Sequence, residues 1–372
     1  MGKNRRSKPV VIGIDASRAV SPHPTGTETY SRQLIQTLLH LPSPYQFRLY
    51  FRTPPEGEWT AGAEVRIIPF PRLWTHFRLS LEMVLHPPDL LFVPAHVLPA
   101  LCPPRTLVTV HDLGYWYFPR AHPLFQRLYL DLSTRWNVRV ATHILADSEA
   151  TRRDLIRIYQ APPDRITVAY PGYDETLHPV LDSETLAAVR ARYGIPGDYF
   201  LYLGTLQPRK NLHRLIQAFA RLRTRAVLVL AGRPGWLYSD LFTLVRRLGL
   251  EGRVLFPGYV RSEDRAALLS GAVAFVFPSL YEGFGLPVLE AQACGCPVVC
   301  SNASSLPEVA GDGALMVPPE DVGALADAMA RVEADAEFRA HLVERGFSNL
   351  RRFSWEDCAR TVLRVMERLL EG

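Results

Sequence analysis

Lysine is almost missing from this chain of 372 residues. Of its 42 basic residues 39 are arginine and three are lysine, and Lys3 and Lys8 both lie in the N-terminal tail. Lys210 is the one lysine in the body of the sequence. Long apolar runs are also lacking: no uncharged stretch approaches the ~18 residues of a bilayer-spanning helix, which excludes such a helix. The start, MGKNRRSKPVVIGID, is basic but runs straight into a strand pattern without a signal-peptide core or cleavage site, so a cytoplasmic location is expected. Five cysteines, Cys102, Cys294, Cys296, Cys300 and Cys358, make an odd number without paired spacing. The cluster Cys294–Cys300 has no nearby histidine and reads as small buried hydrophobes, so no metal site is expected. No G-x-G-x-x-G opens either half, which argues against a nicotinamide-binding fingerprint. Basic residues do not interleave with aromatics as a nucleic-acid platform requires, so no nucleic acid is expected as partner.

What is present describes a globular protein: 48% hydrophobic and 21% charged residues exclude a disordered chain. The length exceeds one comfortable core and predicts two domains, 1–178 and 179–354. The net charge of +5 is uneven. Residues 1–180 hold 20 Lys and Arg against 15 Asp and Glu, while 181–372 hold 22 against 22. That bias favours an anionic partner such as lipid head groups or a lipid-phosphate acceptor; an ordinary surface excess is the alternative.

Short apolar runs alternate with helical patterns, as in an α/β protein with parallel sheets. Strands are predicted at Val10–Ile14, Gln46–Phe51, Val65–Ile68, Leu90–Val93, Leu107–Val110, Ile144–Ala146 and Ile166–Val168. The second half repeats the pattern at Tyr199–Leu203, Val227–Ala231, Val254–Phe256, Val273–Phe277 and Val298–Cys300. Helices are predicted at Tyr30–Leu39, Trp74–Leu85, Glu149–Tyr159, Leu212–Leu222, Val322–Val332, Phe338–Asn349 and Trp355–Leu370. Trp74–Leu85 (WTHFRLSLEMVL) has large apolar groups beside His76 and Arg78, suiting either packing on a sheet or contact with a membrane surface. The polar, proline-containing stretch His178–Ser183 reads as a linker.

The densest signal is Val273–Pro318. A buried strand ends at Pro278–Ser279, a loop follows over Leu280–Gly285, and Pro287 opens a short helix ended by Gly295. Ligand sites of parallel sheets lie at the carboxyl ends of the strands. There Glu282 lies in the loop and Glu290 one turn inside the helix. An ionised carboxylate accepts hydrogen bonds from two neighbouring hydroxyls, as a sugar or ribose offers. Between them the backbone amides of Phe284–Leu286 are expected to open a helix and so to favour an anion such as phosphate. As plain structural residues, Glu290 would complement the helix dipole and Glu282 would be a solvated loop side chain.

The string EGFGLPVLEAQACGCPVV followed by PEVAGDGALMVPPED closely resembles the retaining family 4 glycosyltransferases. The resemblance implies two Rossmann-like domains facing across a deep cleft, the GT-B arrangement, with the C-terminal helix 355–372 crossing back to the first domain. It implies that Glu282 holds hexose hydroxyls and Glu290 the ribose, with Gly283, Phe284, Gly285 and Leu286 at the diphosphate. GTLQPRKN (Gly204–Asn211) carries over with Lys210 as the phosphate-binding lysine. Many relatives have Arg directly after Gly204; here Thr205 stands there, and Arg209 is the candidate replacement. Gly258 and Tyr259 match a loop that contacts the nucleotide base through its backbone. In the first domain TGTETY (Thr25–Tyr30) places Gly26 near the donor diphosphate. TVHDLGYWYFP places His111 at the transferred sugar, with Asp112 and Tyr115 toward the acceptor; the aromatics Tyr115–Phe118 border an acceptor cleft or fill the core.

The function so implied is a retaining, metal-independent hexosyltransferase without cofactor. GDP-mannose is the favoured donor and UDP-glucose the alternative, since the pattern looks closest to bacterial mannosyltransferases that build surface polysaccharide or glycolipid. The acceptor is a glycan or lipid-linked glycan, with peripheral contact at the inner membrane face. A sugar-nucleotide epimerase of the same fold and a non-catalytic nucleotide- or nucleic-acid-binding protein are the competing readings.

Overall fold

The computed structural model describes residues 9–20, 26–70, 73–95, 97–119, 123–235 and 238–371. Lys3, Lys8, Thr25 and Trp236 lie outside the described residues, as does part of the loop expected over Asp15–Thr29. Two compact units are formed. The first comprises Met1–Leu113, Leu124–Gly172 and Ser354–Gly372; the second comprises Gly114–Pro123 and Tyr173–Phe353. The change of unit after Gly172 precedes the expected linker, because that stretch is fastened to the second unit: the Val180 amide donates to Ser270 Oγ at 2.9 Å.

In the first unit seven strands form one parallel sheet: β1 (Val11–Asp15), β2 (Gln46–Phe51), β3 (Glu64–Ile67), β4 (Leu90–Val93), β5 (Thr106–Val110), β6 (His143–Ala146) and β7 (Ile166–Val168). Their order is β3-β2-β1-β4-β5-β6-β7. The second unit has β8 (Tyr199–Leu203), β9 (Val227–Ala231), β10 (Val254–Gly258), β11 (Ala274–Phe277), β12 (Val298–Ser301) and β13 (Ala314–Val317), ordered β10-β9-β8-β11-β12-β13. Central strands are buried throughout, which is why their sequences are unbroken apolar runs rather than alternating ones. Strand order reverses between β1 and β4 and again between β8 and β11. At such a reversal the following connections part to opposite sides and leave a crevice at the carboxyl ends.

Several expectations need correcting. The first helix is described from Gly26 to His40, so Gly26 is a helical residue and not part of a turn. Pro287 is the second residue of the helix Leu286–Ala293, where a missing amide is equally harmless. The segment 74–85 is a π-helical turn, Thr75–Leu79, running into an α-helix, Ser80–Leu85. Strand β13 went unmarked because its four residues lie at the sheet edge and are mostly half-exposed. A long helix, Leu124–Val140, was not anticipated because its apolar residues do not face the core.

The C-terminal helix Trp355–Glu371 belongs to the first unit. Its buried face, Trp355, Cys358, Ala359, Val362, Leu363, Val365 and Met366, shares one core with Tyr30, Leu34, Ile35 and Leu38 of the first helix and with β1 and β2. The chain passes close to itself at its start: a Cβ on Gly172 would stand 2.3 Å from the Trp355 amide nitrogen. Met366 is fully buried. Met366→Ala should lower stability by about 2–5 kcal/mol through lost transfer energy and the cavity left behind. Urea denaturation followed by circular dichroism checks this.

Candidate active site

In the second unit the site grows from the ends of β8 and β11. After β8 the chain turns at Gly204, whose amide donates to Ala231 O at 3.0 Å. A Cβ on Gly232, at the end of β9, would stand 1.8 Å from Gly204 O, so only glycine lets the two loops pass. The Gly232 amide in turn donates to Gly258 O at 2.7 Å, lacing the ends of β8, β9 and β10 together. Pro208–Lys210 makes a 3-10 turn that ends at Asn211 in the left-handed region, φ 62°. Asparagine tolerates that conformation, and its side-chain amide donates to Pro278 O at 3.0 Å and Pro319 O at 2.6 Å. The Leu280 amide donates to Arg209 O at 2.9 Å. The β8 loop is thus clipped to the β11 loop.

This clip brings Lys210, Arg209 and Glu282 together. Lys210 Nζ donates to Glu282 Oε1 at 2.6 Å and lies 4.7 Å from the Phe277 ring centroid. Arg209 Nη1 stands 3.5 Å from Glu282 Oε2 and 3.2 Å from Tyr281 O. Lys210 and Glu282 are both buried. Burial alone would raise the Glu282 pKa, but Lys210 and then Arg209 outweigh it and hold the carboxyl below its ordinary 4.5. The backbone of Glu282 is fixed as well: its amide donates to Ser304 Oγ at 2.7 Å, and Ser305 Oγ donates to Glu282 O at 3.0 Å.

Gly283, Phe284 and Gly285 follow, all buried, and Gly285 adopts φ 122° where the chain turns into the helix. The first amides of a helix have no intrahelical acceptor. Leu286, half-buried, is the first residue of that helix. Glu290 is ion-paired to Arg265, Oε1 to Nη2 at 2.5 Å. At the end of β10, Gly258 takes φ 81°, and the exposed Tyr259 ring lies 4.8 Å from the Arg233 guanidinium. Thr205 is exposed and its carbonyl accepts from Tyr202 Oη at 3.0 Å.

In the first unit His111 follows β5 directly. Its Nδ1 lies 2.6 Å from Asp147 Oδ2 and its Nε2 2.9 Å from Pro94 O. The Pro94 carbonyl can only accept, so Nε2 donates to it. Burial disfavours the charged ring, yet Asp147 more than offsets it and the His111 pKa is raised; burial raises the Asp147 pKa as well. Asp112 is half-buried. The aromatics that follow in sequence, expected in the first domain, fall in the second unit: Tyr115 is buried, Trp116 and Tyr117 are exposed, and the Tyr117 ring lies 4.8 Å from that of Tyr281. Gly26 opens its helix with free space where a Cβ would stand. At the strand reversal of this sheet Asp15 is buried, and burial pushes its pKa up to about 6.

Two family models divide the chain: Glycosyltransferase Family 4 matches residues 24–177, and Glycosyl transferases group 1 matches residues 189–348. An O-antigen chain mannosyltransferase B of Escherichia coli is 38% identical over 258 residues, 68% of either chain. The chain belongs to this glycosyltransferase family. A serotype-specific mannosyltransferase of E. coli is 31% identical over 282 residues, which cover 73% of this glycosyltransferase and 34% of that longer protein. Among solved structures, the HepE protein of Anabaena in complex with UDP-glucose aligns with a TM-score of 0.73 at 19% identity, covering 96% of this chain and 99% of its own. At such identity the likeness is one of fold, and the fold is that of the GT-B glycosyltransferases. Membership in the family does not favour the epimerase or simple binding-protein readings.

The sequence did not point to Asn211, Ser304, Ser305, Asp147, Arg233 or Arg265, which position or pair with the expected groups. Asn211 carried a usable signal, an asparagine directly before a helix. Asp147 and Arg265 carried none, since both pair with residues distant in sequence. Among the described residues no group of three or more His, Cys, Asp or Glu is arranged to hold a metal ion. Cys294 and Cys300 are buried thiols whose pKa is pushed up to about 12 by burial.

Ionised Glu282 contributes stability that is present above pH 4.5 and lost as pH falls through its depressed folded pKa. In Lys210→Met that pKa should move up and the acid-side loss of stability should shrink; urea titrations at neutral and acidic pH measure it. For His111 the sign is opposite, its contribution being present below pH 6.5 and lost as pH rises through the raised folded value. Asp147→Asn should lower the His111 pKa, read from the ring-proton shifts by NMR.

Proposed function

We propose that this glycosyltransferase is a retaining, metal-independent hexosyltransferase that moves mannose from GDP-mannose to a glycan or lipid-linked glycan, with UDP-glucose as the alternative donor. The observation that carries this reading is the convergence of Lys210 and Arg209 on Glu282 beside the opening of the helix Leu286–Ala293. A hexose diphosphate needs hydroxyl acceptors and diphosphate donors within a few ångströms of each other, and this cluster supplies both.

Breaking the bond between hexose and diphosphate develops negative charge on the departing oxygen. Preorganised cations and amides aimed at that charge are the largest contribution to such catalysis. Lys210 and Arg209 supply the cations, with Arg209 taking the part of the arginine that Thr205 replaces. The Phe284–Leu286 segment supplies amides. Glu282, held ionised, accepts from hexose hydroxyls, while Glu290 accepts from ribose hydroxyls with Arg265 fixing its carboxylate. Gly204, Gly258 and Tyr259 border the donor at the neighbouring loops. His111, whose two ring nitrogens are engaged by Asp147 and the Pro94 carbonyl, is unsuited to act as a base. Donor choice follows the relatives named as mannosyltransferases, and the acceptor class follows the O-antigen relative.

Incubation with GDP-mannose and with UDP-glucose, in the presence of EDTA, tests the reading by release of GDP or UDP. GDP release is expected to persist with EDTA and to fall by about 100-fold or more in Lys210→Ala and Glu282→Ala. NMR of the product should show the anomeric configuration of the donor. Full activity in both variants, or inverted configuration, would overturn it.

A further inference from the structure

The helix Leu124–Val140 is inside out. Its buried residues are Thr134 and Asn137, and Asn137 Oδ1 accepts from the Leu98 amide at 3.0 Å. Its exposed side carries Leu124, Phe125, Leu128 and Leu132, exposed by 69%, 84%, 50% and 63%. Their spacing places all four on one face. Arg135 and Arg139, three and seven residues further on, continue that face, and Arg127 flanks it. A helix in water alone would be built the other way round.

The neighbouring segment also turns apolar groups outward. Thr75–Leu79 and Ser80–Leu85 bury Leu79 and Met83 together with Glu82, whose carboxylate is paired to Arg66 at 2.9 Å, while Phe77, Leu81, Val84 and Leu85 are exposed, Phe77 by 62%. His76 Nε2 and Tyr129 Oη, 3.1 Å apart, tie the two segments together. Beside them lies a cavity of about 290 Å³ lined by Ser17, Arg18, Arg52, Trp74, His76 and Tyr129.

We propose that this face of the first unit docks on a bilayer carrying anionic lipid head groups. Apolar side chains on one face with arginines continuing and flanking it are the pattern of a helix lying in the membrane interface. The charge agrees: the segment from Leu124 to Val140 has Arg127, Arg135 and Arg139 against Asp131, and the net positive charge of the chain resides in its first half. Arg135 is paired with Asp131 at 2.9 Å, which leaves Arg127 and Arg139, both exposed, as the groups for the lipid phosphates. A second copy seated symmetrically on the same face would bring like arginines together, which disfavours self-association there. If the acceptor is lipid-linked, as proposed above, docking would bring enzyme and acceptor to the same surface; the docking itself does not rest on that reading.

Flotation of the full chain with phosphatidylcholine vesicles, and with vesicles that also contain phosphatidylglycerol, tests the proposal without using transfer activity. The chain should float with the mixed vesicles and less with neutral ones, and added salt should weaken binding. Leu128→Ser with Leu132→Ser should reduce binding to mixed vesicles by about tenfold or more, and Arg127→Ala with Arg139→Ala should remove the anionic preference. Unchanged circular dichroism and unchanged nucleotide release from the donor in both variants would show that folding and the donor site are intact. Failure to float with either vesicle, equal flotation of the leucine variant, or a dimer dispersed by that variant in analytical ultracentrifugation would overturn it.

Discussion

The buried ion pair between Lys210 and Glu282 is the constraint to which the second unit is fitted. Withdrawing a carboxylate and an ammonium from water costs several kcal/mol per ion, and their attraction offsets this only when the geometry is good and the remaining polar positions are filled. Here the two lie 2.6 Å apart, Arg209 stands beside the carboxylate, and the face of Phe277 supports the ammonium. Two serines fasten the backbone of Glu282. Asn211, in a conformation few residues tolerate, joins the loop bearing Lys210 to the one bearing Glu282. The parallel order of β8 and β11 makes the rest possible, because adjacent parallel strands end at the same edge of a sheet.

The first unit uses a related device for another purpose. Asp147, at the end of β6, faces His111 at the end of β5, and the Pro94 carbonyl at the end of β4 takes the other ring nitrogen. Three adjacent strand ends thereby hold one imidazole in a single orientation. The C-terminal helix completes the same core, its Trp355 lying against Tyr30, whose ring meets that of His111 edge-on at 4.7 Å. Packing and site chemistry share side chains, which ties the last residues of the chain to groups near its beginning.

Legibility followed range. Strands were readable because parallel, doubly buried strands write themselves as unbroken apolar runs, and their ends located the site loops. Glu282, Lys210 and the glycines between Glu282 and the helix were readable because each sits in a dense local motif. The helix Leu124–Val140 was not: sequence patterns identify helices by an apolar face turned to the core, and this one turns that face outward. Glu290 stood out in the sequence through its motif, but its ion pair with Arg265 did not, since a helix in one βα unit meets a helix in the next only after folding.

By itself the sequence determined the class of the protein, two parallel α/β units, and the family whose motifs it bears, because local patterning encodes strands, turns and short motifs directly. Only the tertiary structure decided which cation meets Glu282, which partners hold the His111 ring, and which apolar side chains stay in water. Those are settled by contacts between residues dozens of positions apart, and the energy of a charge or an apolar group depends on what surrounds it rather than on what precedes it in the chain.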